Sequence, residues 1–466
     1  MSINDMSDSK RSLIFINIVV ACIASSMMST ALSTALPSII SDFNISASLA
    51  QWLSSGYMLC MAIMIPATAF LVKRFSTRLL YVGVVGIYLV GLVIDILAVN
   101  FGMLMFGRIL QACANGVLMS MGQIILMSIY PMNKHGAILG WYGLSLTVAP
   151  IIAPAISGLM IDALTWRGVF LIPLIFMALS IIIAVITLPN VLETTKSKFD
   201  VISFSFCAVG FGGLTLGVGN MISMGMTSTI TLIPLILGIL GTLAFVIRQR
   251  KLENPFLNLH VFGSKGFVLA VLVGMLFYAV ILSMSVLMPI LFQTGMGYSA
   301  AMSGTFLLFG SLIVAVTSPM AGKWYDKHGI RPLILFSAGM SAIGCIGLMF
   351  VGASTAVIIP VVFYTVAALA GCQMMPVTAY GINSVSAEMR ADATSLINAL
   401  RTLAGALGMA LSTGLMELVA SGSDGSVMDS TMDGMSVTFM VLAVVSVVAF
   451  LMGFMFRSKP GSETNH

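Results

Sequence analysis

The sequence predicts an all-α polytopic membrane protein with fourteen transmembrane helices, built as two six-helix halves with two further helices inserted between them. Three observations support this prediction. Hydrophobic residues make up 59% of the chain and charged residues only 8%, whereas soluble domains carry about 25% charged residues. The apolar residues are gathered into runs long enough to cross a bilayer. A basic turn between two of these runs also occurs twice, once in each half.

A helix that crosses the hydrocarbon core needs about 20 predominantly apolar residues. Runs of this kind lie between charged or turn-rich breaks at residues 12–37, 48–71, 79–98, 102–129, 137–160, 167–188, 200–219, 229–248, 266–292, 301–321, 332–351, 355–379, 394–419 and 436–456. The pair at 200–219 and 229–248 is rich in glycine and gives the weakest helix pattern. The even number of runs places both chain ends on one side of the membrane.

Lysine and arginine are distributed unevenly between the two sides. If the N-terminus is cytoplasmic, every lysine and arginine, Arg401 included, falls in a cytoplasmic segment except Arg108 and Arg167. The outer loops carry aspartates instead, namely Asp42, Asp162, Asp424, Asp429 and Asp433. Because cytoplasmic loops are enriched in basic residues, we expect a plasma-membrane protein with both termini in the cytoplasm. The net charge of +5 follows from this asymmetry and does not indicate nucleic-acid binding.

Two cytoplasmic loops match each other. AFLVKRFSTR begins at Ala69 and GKWYDKHGIR begins at Gly322, and each follows the second helix of a six-helix set. The loop residues expected to act in gating are Lys73, Arg74, Arg78, Gly322, Asp326, Gly329 and Arg331. Duplicated halves with a site between them are a transporter architecture. We therefore expect an N-terminal half at 1–190, an inserted helix pair with its linker at 191–265, and a C-terminal half at 266–466.

Further motifs occur in order along the chain. They are QWLSSGYML at 51–59, GRILQACANG at 107–116, NPFLNLHVF at 254–262 and RTLAGALGMAL at 401–411. Together with GKWYDKHGIR, these segments resemble the major facilitator superfamily, specifically its fourteen-span drug:proton antiporter branch of the EmrB/QacA type. The resemblance implies a monomeric carrier that exports small lipophilic compounds in exchange for protons by alternating access.

The stretch LTVAPIIAPAISG at 146–158 places two prolines four residues apart in an apolar run. It is similar to the fifth-helix antiporter signature of that superfamily, with some glycines replaced by alanine or serine. The signature residues in this chain are Gly143, Pro150, Ala153, Pro154, Ser157 and Gly158. Because small residues let membrane helices approach closely, we expect a smooth, bent face that seals one side of a cavity. An ordinary proline kink is the alternative interpretation.

Ionisable residues at membrane depth are costly and are by default functional candidates. The coupling candidates are Asp95, Arg108 and Glu417. For Arg108 the sequence leaves three partners open: Asp95, cavity water or helix carbonyls. Glu417 is also open to interpretation as a residue of the membrane interface. In the related branch an aspartate usually occupies the position of Met28, and its absence leaves the coupling ion open.

Polar residues of the spans predict the lining of a central cavity. The candidates are Asn17, Thr30, Tyr57, Gln111, Asn115, Gln123, Gln373 and Tyr380. The 37 methionines supply a soft, adaptable surface. Such a lining has few charges, which favours a neutral or weakly cationic amphiphile over an anion. We expect no cofactor, no metal and no enzymatic activity, because the spans contain neither a metal-ligand cluster nor a nucleophile with its base.

The leading functional hypothesis is therefore proton-driven export of lipophilic compounds. The alternative is export of one specific metabolite or lipid with indirect coupling or another coupling ion, which the missing acid at Met28 favours. A membrane sensor or scaffold is disfavoured, since the sequence predicts no soluble output domain.

Overall fold

The computed structural model describes residues 7–45, 47–192, 194, 200–225, 227–252, 255, 257–298, 300–422 and 427–456. Its helices are α1 (Asp8–Phe43), α2 (Ala47–Arg74), α3 (Thr77–Ile96), α4 (Phe101–Ile129), α5 (His135–Leu164), α6 (Leu171–Thr187), α7 (Val201–Met224), α8 (Thr229–Lys251), α9 (Lys265–Ile290), α10 (Ala300–His328), α11 (Ile330–Met349), α12 (Ile358–Ala368), α13 (Met374–Asn383), α14 (Arg390–Ser421) and α15 (Val427–Gly453).

The predicted fourteen-helix membrane fold is confirmed. A 3-10 turn at Leu369–Gln373 joins α12 to α13, so these two helices form one span. Thirteen segments of the described chain have the length and hydropathy of membrane spans. The fourteenth span is α5, which is 30 residues long. The glycine-rich pair, the weakest of the predicted elements, is helical as α7 and α8.

Successive spans run in opposite directions, so their connections lie at two ends of the bundle. We call one end the basic end: it carries the described connecting residues 75–76, 130–134, 188–192, 257–264, 329 and 384–389. At the other end, Asp42 accepts hydrogen bonds from Trp166 Nε1 at 2.9 Å and from Arg167 at 3.0 Å. These bonds hold the pKa of the Asp42 carboxyl below its usual value. They also give an anionic partner to Arg167, one of the two arginines that fall outside the predicted cytoplasmic segments.

The position of Arg401 corrects the charge assignment made from the sequence. We expected this arginine in a cytoplasmic segment, but it lies well inside α14. It is eleven positions after Arg390, which is roughly 16 Å along the helix at 1.5 Å per residue. The side chain is therefore near the middle of the bilayer.

The helices pack in two groups. In the first, α1 contacts α5 and α6, while α4 contacts α2 and α3. In the second, α9 contacts α13 and α14, while α11 contacts α12 and α15. The two groups meet mainly where α5 packs on α10 and α2 packs on α14. These contacts support our proposal of halves at 1–190 and 266–466 with an inserted pair at 191–265.

Helices α7 and α8 pack through facing glycines. A Cβ atom on Gly238 would lie 2.4 Å from the backbone nitrogen of Leu214, and one on Gly213 would lie 2.7 Å from the carbonyl oxygen of Pro234. No side chain fits at such distances. Glycine therefore lets the two backbones touch, and van der Waals contact then holds the helix pair together in lipid.

This packing predicts that Gly238→Leu separates α7 from α8 and destabilises the protein by about 1–3 kcal/mol, the usual cost of overpacking. Thermal unfolding in detergent should show a clearly lower midpoint. The matched control is Gly219→Leu, because an added Cβ there has nothing within 4 Å. Equal midpoints for the two variants would contradict the glycine-mediated contact.

Candidate functional site: the central cavity

A cavity of about 460 Å³ lies between the two helix groups. One wall comes from α1, α2, α4 and α5, and the other from α9, α10, α14 and the broken span α12–α13. Six methionines contribute to the lining: Met58, Met61, Met119, Met284, Met374 and Met375. Met58 also remains 53% exposed. The cavity is therefore apolar and adaptable over most of its surface.

The structure sorts the predicted cavity residues into three groups. Tyr57 and Asn115 line the cavity, and the Asn115 amide donates a hydrogen bond of 2.9 Å to the Tyr57 hydroxyl. The others that are described are buried away from the lining, namely Asn17, Gln111, Gln123, Gln373 and Tyr380. The side chain of Thr30 lies outside the described residues.

Asp95, Gln111 and Arg108 form a buried chain of hydrogen bonds. Gln111 Nε2 donates to Asp95 Oδ2 at 2.6 Å, and Arg108 donates to Gln111 Oε1 at 2.9 Å. Among the described residues, Asp95 Oδ1 has no donor. Because Arg108 lines the cavity while Asp95 lies on α3 behind it, Gln111 connects a buried carboxyl group to the cavity wall.

Arg108 also has partners on two other helices. It donates weak hydrogen bonds of 3.4 Å to the carbonyl oxygens of Leu53 and Met28, and its guanidinium lies 4.2 Å from the Tyr57 ring centroid. Helix carbonyls are thus direct partners, while Asp95 is reached only through Gln111. The contact with Met28 is informative, because it brings the α1 backbone at this position within reach of the guanidinium.

Glu417 is placed differently from the other two coupling candidates. Its side chain is exposed on α14 and does not belong to the cavity lining. This location fits the interfacial alternative better than a buried proton site.

Arg401 is the cavity residue that the sequence reasoning missed. It is 6% exposed and lines the cavity from α14, with its guanidinium 5.2 Å from the Tyr278 ring centroid. It also donates a long hydrogen bond of 3.5 Å to Thr378. A signal was present in the sequence, because Arg401 lies inside the predicted span 394–419 and not at its end.

At the basic end, Asp326 joins the two groups. Its carboxylate accepts hydrogen bonds from the backbone N–H groups of Gly136 at 2.8 Å and Ala137 at 2.7 Å. These groups begin α5, where the helix dipole is positive. The second loop of the repeat thus uses its aspartate to cap a helix of the opposite group.

Lys73 provides the corresponding contact of the first loop. It forms an ion pair with Asp392 at the start of α14. The Asp392 side chain is fully buried, and it also accepts a hydrogen bond of 3.1 Å from the backbone N–H of Asn258. A lysine in the place expected for aspartate therefore meets an aspartate on the partner helix.

Further polar and glycine contacts join the two helix groups near the basic end. We call these contacts, together with those of Asp326 and Lys73, the seal. Asn398 donates to Ser120 at 3.1 Å and to Gln123 at 3.0 Å, and His135 Nδ1 lies 2.9 Å from Asn383 Oδ1. A Cβ on Gly322 would lie 2.2 Å from the Gly136 carbonyl oxygen, so the backbones of α5 and α10 touch. All of these contacts lie between the cavity and the basic end.

The remaining gating candidates stay within their own groups. The Arg78 backbone N–H donates to Asn190 at 3.1 Å, Arg74 lies over Phe75, and Arg331 lies over Phe454. Gly329 has a φ of +83° and precedes α11. Here glycine permits a backbone conformation that other residues avoid.

The predicted signature on α5 is described only in part. Gly143 lines the cavity beside Met375, and Ala153 and Ser157 are buried. The structure describes Pro150, Pro154 and Gly158 only as helical backbone. The two proline side chains lie outside the described part of the chain. The close contact with α10 described above uses Gly136, which lies outside the 146–158 stretch expected to seal the cavity.

The ion pair at the basic end predicts an asymmetry between its two partners. Lys73→Met leaves a buried carboxylate unpaired, which costs about 3–5 kcal/mol in a fully buried pair; since Lys73 is partly exposed, we expect the lower end. Asp392→Asn removes the buried charge and keeps an acceptor for Asn258, so its effect should be smaller.

Loss of the ion pair is expected to let the two helix groups separate at the basic end. Spin labels at Phe75 and Glu388, both exposed there, would report this separation as a longer label-to-label distance in pulsed EPR. The control Arg74→Met should leave the distance unchanged, because Arg74 has no role in the seal. A larger opening in Asp392→Asn than in Lys73→Met would contradict this account.

Comparison with known proteins agrees with the architecture. The family model for the Major Facilitator Superfamily matches residues 18–409. The MFS-type transporter YcnB of Bacillus subtilis is 35% identical over 432 residues, which cover 92% of this chain and 91% of YcnB. Lincomycin resistance protein LmrB of Bacillus subtilis is 31% identical and covers 95% of both chains.

A more distant relative and a solved structure extend the comparison. The probable multidrug resistance protein EmrY of Escherichia coli is 28% identical, over 82% of this chain and 76% of EmrY. The structure of the proton:xylose symporter XylE shares the fold, with a TM-score of 0.66 at 15% identity over 98% of each chain. This chain therefore belongs to the major facilitator superfamily, in its fourteen-span branch of multidrug efflux proteins.

Proposed function

We propose that the protein is a secondary active transporter that exports small lipophilic compounds by alternating access, in exchange for protons. The observation that carries the proposal is the central cavity, which is closed at the basic end by contacts between the two helix groups. The printed names of LmrB and EmrY, which refer to drug resistance, support efflux. At the family level, such proteins are carriers and not enzymes.

The basic end is assigned to the cytoplasm. The positive-inside rule supports this orientation, and it makes the cavity described above outward-facing. In the alternate state, the contacts of Asp326 and Lys73 separate and the cavity opens to the cytoplasm. We further propose a monomeric transporter in the plasma membrane, as the family resemblance implies.

Proton coupling is assigned to Asp95. Among the described residues, one oxygen of this buried carboxyl group has no hydrogen-bond donor, so it has room for a proton. When Asp95 is ionised, its charge partly offsets Arg108 through Gln111; when it is protonated, Arg108 faces the cavity as an uncompensated cation. The two protonation states therefore present different walls to the cargo, which is the differential interaction that coupling requires.

Asp95→Asn is therefore expected to abolish proton release evoked by substrate in energised inside-out vesicles that contain a pH reporter. Met28→Asp in the Asp95→Asn background adds a carboxylate at the α1 position whose backbone carbonyl contacts Arg108, and we expect partial recovery. The matched control is Glu417→Gln, which changes an exposed acid on α14 and should leave coupling intact.

Two results would overturn parts of this proposal. Proton release that survives in Asp95→Asn but disappears in Glu417→Gln would move coupling to α14. Gradient-independent transport that is unchanged in both variants would favour the alternative, a specific exporter with indirect or non-proton coupling. The absence of an acid at Met28 is the observation that keeps this alternative in the test.

A further inference from the structure

The cavity wall carries positive charge without matching negative charge. Arg108 and Arg401 both contribute to the lining, and among the described lining residues there is no aspartate or glutamate. The sequence suggested a lining with few charges and a neutral or weakly cationic cargo. The two arginines argue against a cation, because a like charge at this depth would be repelled in a medium that screens poorly.

The two arginines differ in how well they are satisfied. Arg108 donates to Gln111 and to two carbonyl oxygens, and it is linked through Gln111 to the Asp95 carboxyl group. Arg401 makes one long hydrogen bond, to Thr378 at 3.5 Å. Its Nε is buried and has no acceptor in the described part of the chain. Arg401 is thus the cation that lacks a partner.

No carboxylate lies within 4.0 Å of the Arg401 guanidinium among the described residues, since the ion pairs found there involve other groups. An arginine that is only 6% exposed normally pairs with an anion or lines a hydrated cavity, because the desolvated charge is costly. The Tyr278 ring stabilises one face of the guanidinium but accepts no strong hydrogen bond. The outstanding requirement is therefore an oxyanion.

The surroundings of Arg401 define the rest of the ligand. Apolar and aromatic side chains dominate the same wall, including Tyr278, Ile281, Met374 and Met375. A planar guanidinium binds carboxylates and similar oxyanions through parallel N–H groups. We infer that the transporter's cargo is a lipophilic monoanion, a carboxylate or comparable oxyanion, whose charged group binds Arg401 while its apolar body contacts the methionines. This inference rests on the proposed function of the cavity.

The inference has an energetic consequence. Export of a monoanion moves one unit charge down an inside-negative potential, whereas export of a neutral cargo moves none and export of a monocation works against that potential. A negative cargo thus adds to the driving force.

A matched set of probes tests the assignment: biphenyl-4-carboxylate, its methyl ester and biphenyl-4-ylmethylammonium. Binding would be measured by calorimetry with the full chain in lipid nanodiscs, with empty nanodiscs subtracted. We expect the carboxylate to bind about tenfold or more tightly than the ester and the ammonium, as a charge-assisted hydrogen bond allows.

Arg401→Gln should remove this preference and leave ester binding within about twofold. Arg401→Lys should retain part of the preference, and Arg250→Gln, an exposed arginine on α8, should retain all of it.

Three outcomes would overturn the inference. They are equal binding of the three probes, preferential binding of the ammonium, and a carboxylate preference that persists in Arg401→Gln but disappears in Arg108→Gln. Ester transport into inside-out vesicles is measured in parallel. If the ester is transported while the carboxylate has no advantage, only the Arg401 site fails; if none of the probes is transported by the wild type or any variant, the proposed export function fails with it.

Discussion

The hydrocarbon core penalises every charge that lacks a partner, and the arrangement of this protein depends on that constraint. Four charged groups lie buried in the described spans: Asp95, Arg108, Asp392 and Arg401. Asp392 pairs with Lys73, and Asp95 is linked to Arg108 through Gln111. Only Arg401 is left with a weak partner. The pairs hold the structure together, and the unpaired group identifies where a charged cargo fits.

The same constraint explains how two duplicated loops reach one result by different chemistry. Among the described residues, Asp326 of the second loop forms no ion pair, and its carboxylate binds the positive end of α5. In the first loop the corresponding group is Lys73, and the start of α14 supplies Asp392. Each solution joins one half to the other and leaves little charge unsatisfied. In the proposed transport cycle, both contacts break when the cavity opens at this end.

Much of the fold was predictable because the spans depend on properties that are local in sequence. Apolar length, the repeated loop and the distribution of basic residues were enough to predict all fourteen spans, including the glycine-rich pair. The contacts that build the site were less predictable. Counting charges by loop misassigned Arg401, because a cation inside a span looks like a cation near its end. The pairing of Lys73 with Asp392 joins residues 319 positions apart, and no local pattern encodes it.

Of the cavity residues proposed from the sequence, Tyr57 and Asn115 lie in the lining of the cavity, whereas the other described candidates lie behind it. Not every polar residue of an apolar helix faces the cavity. Gln123, for example, lies in the contact between the two helix groups, where it accepts a hydrogen bond from Asn398. Sequence alone cannot separate these roles, because both require a polar side chain at membrane depth. The face of the helix decides between them, and that depends on packing between halves.

The most direct test of the account is whether the seal at the basic end has to open during transport. In a background without the six native cysteines, Phe75→Cys and Glu388→Cys, both exposed at the basic end, would be joined by the shortest reducible bis-methanethiosulfonate linker that reacts with both, and transport of a lipophilic probe would be measured in vesicles. The account predicts that cross-linked protein does not transport and that reduction restores the rate of the uncross-linked double variant. An unchanged transport rate in fully cross-linked protein would contradict it.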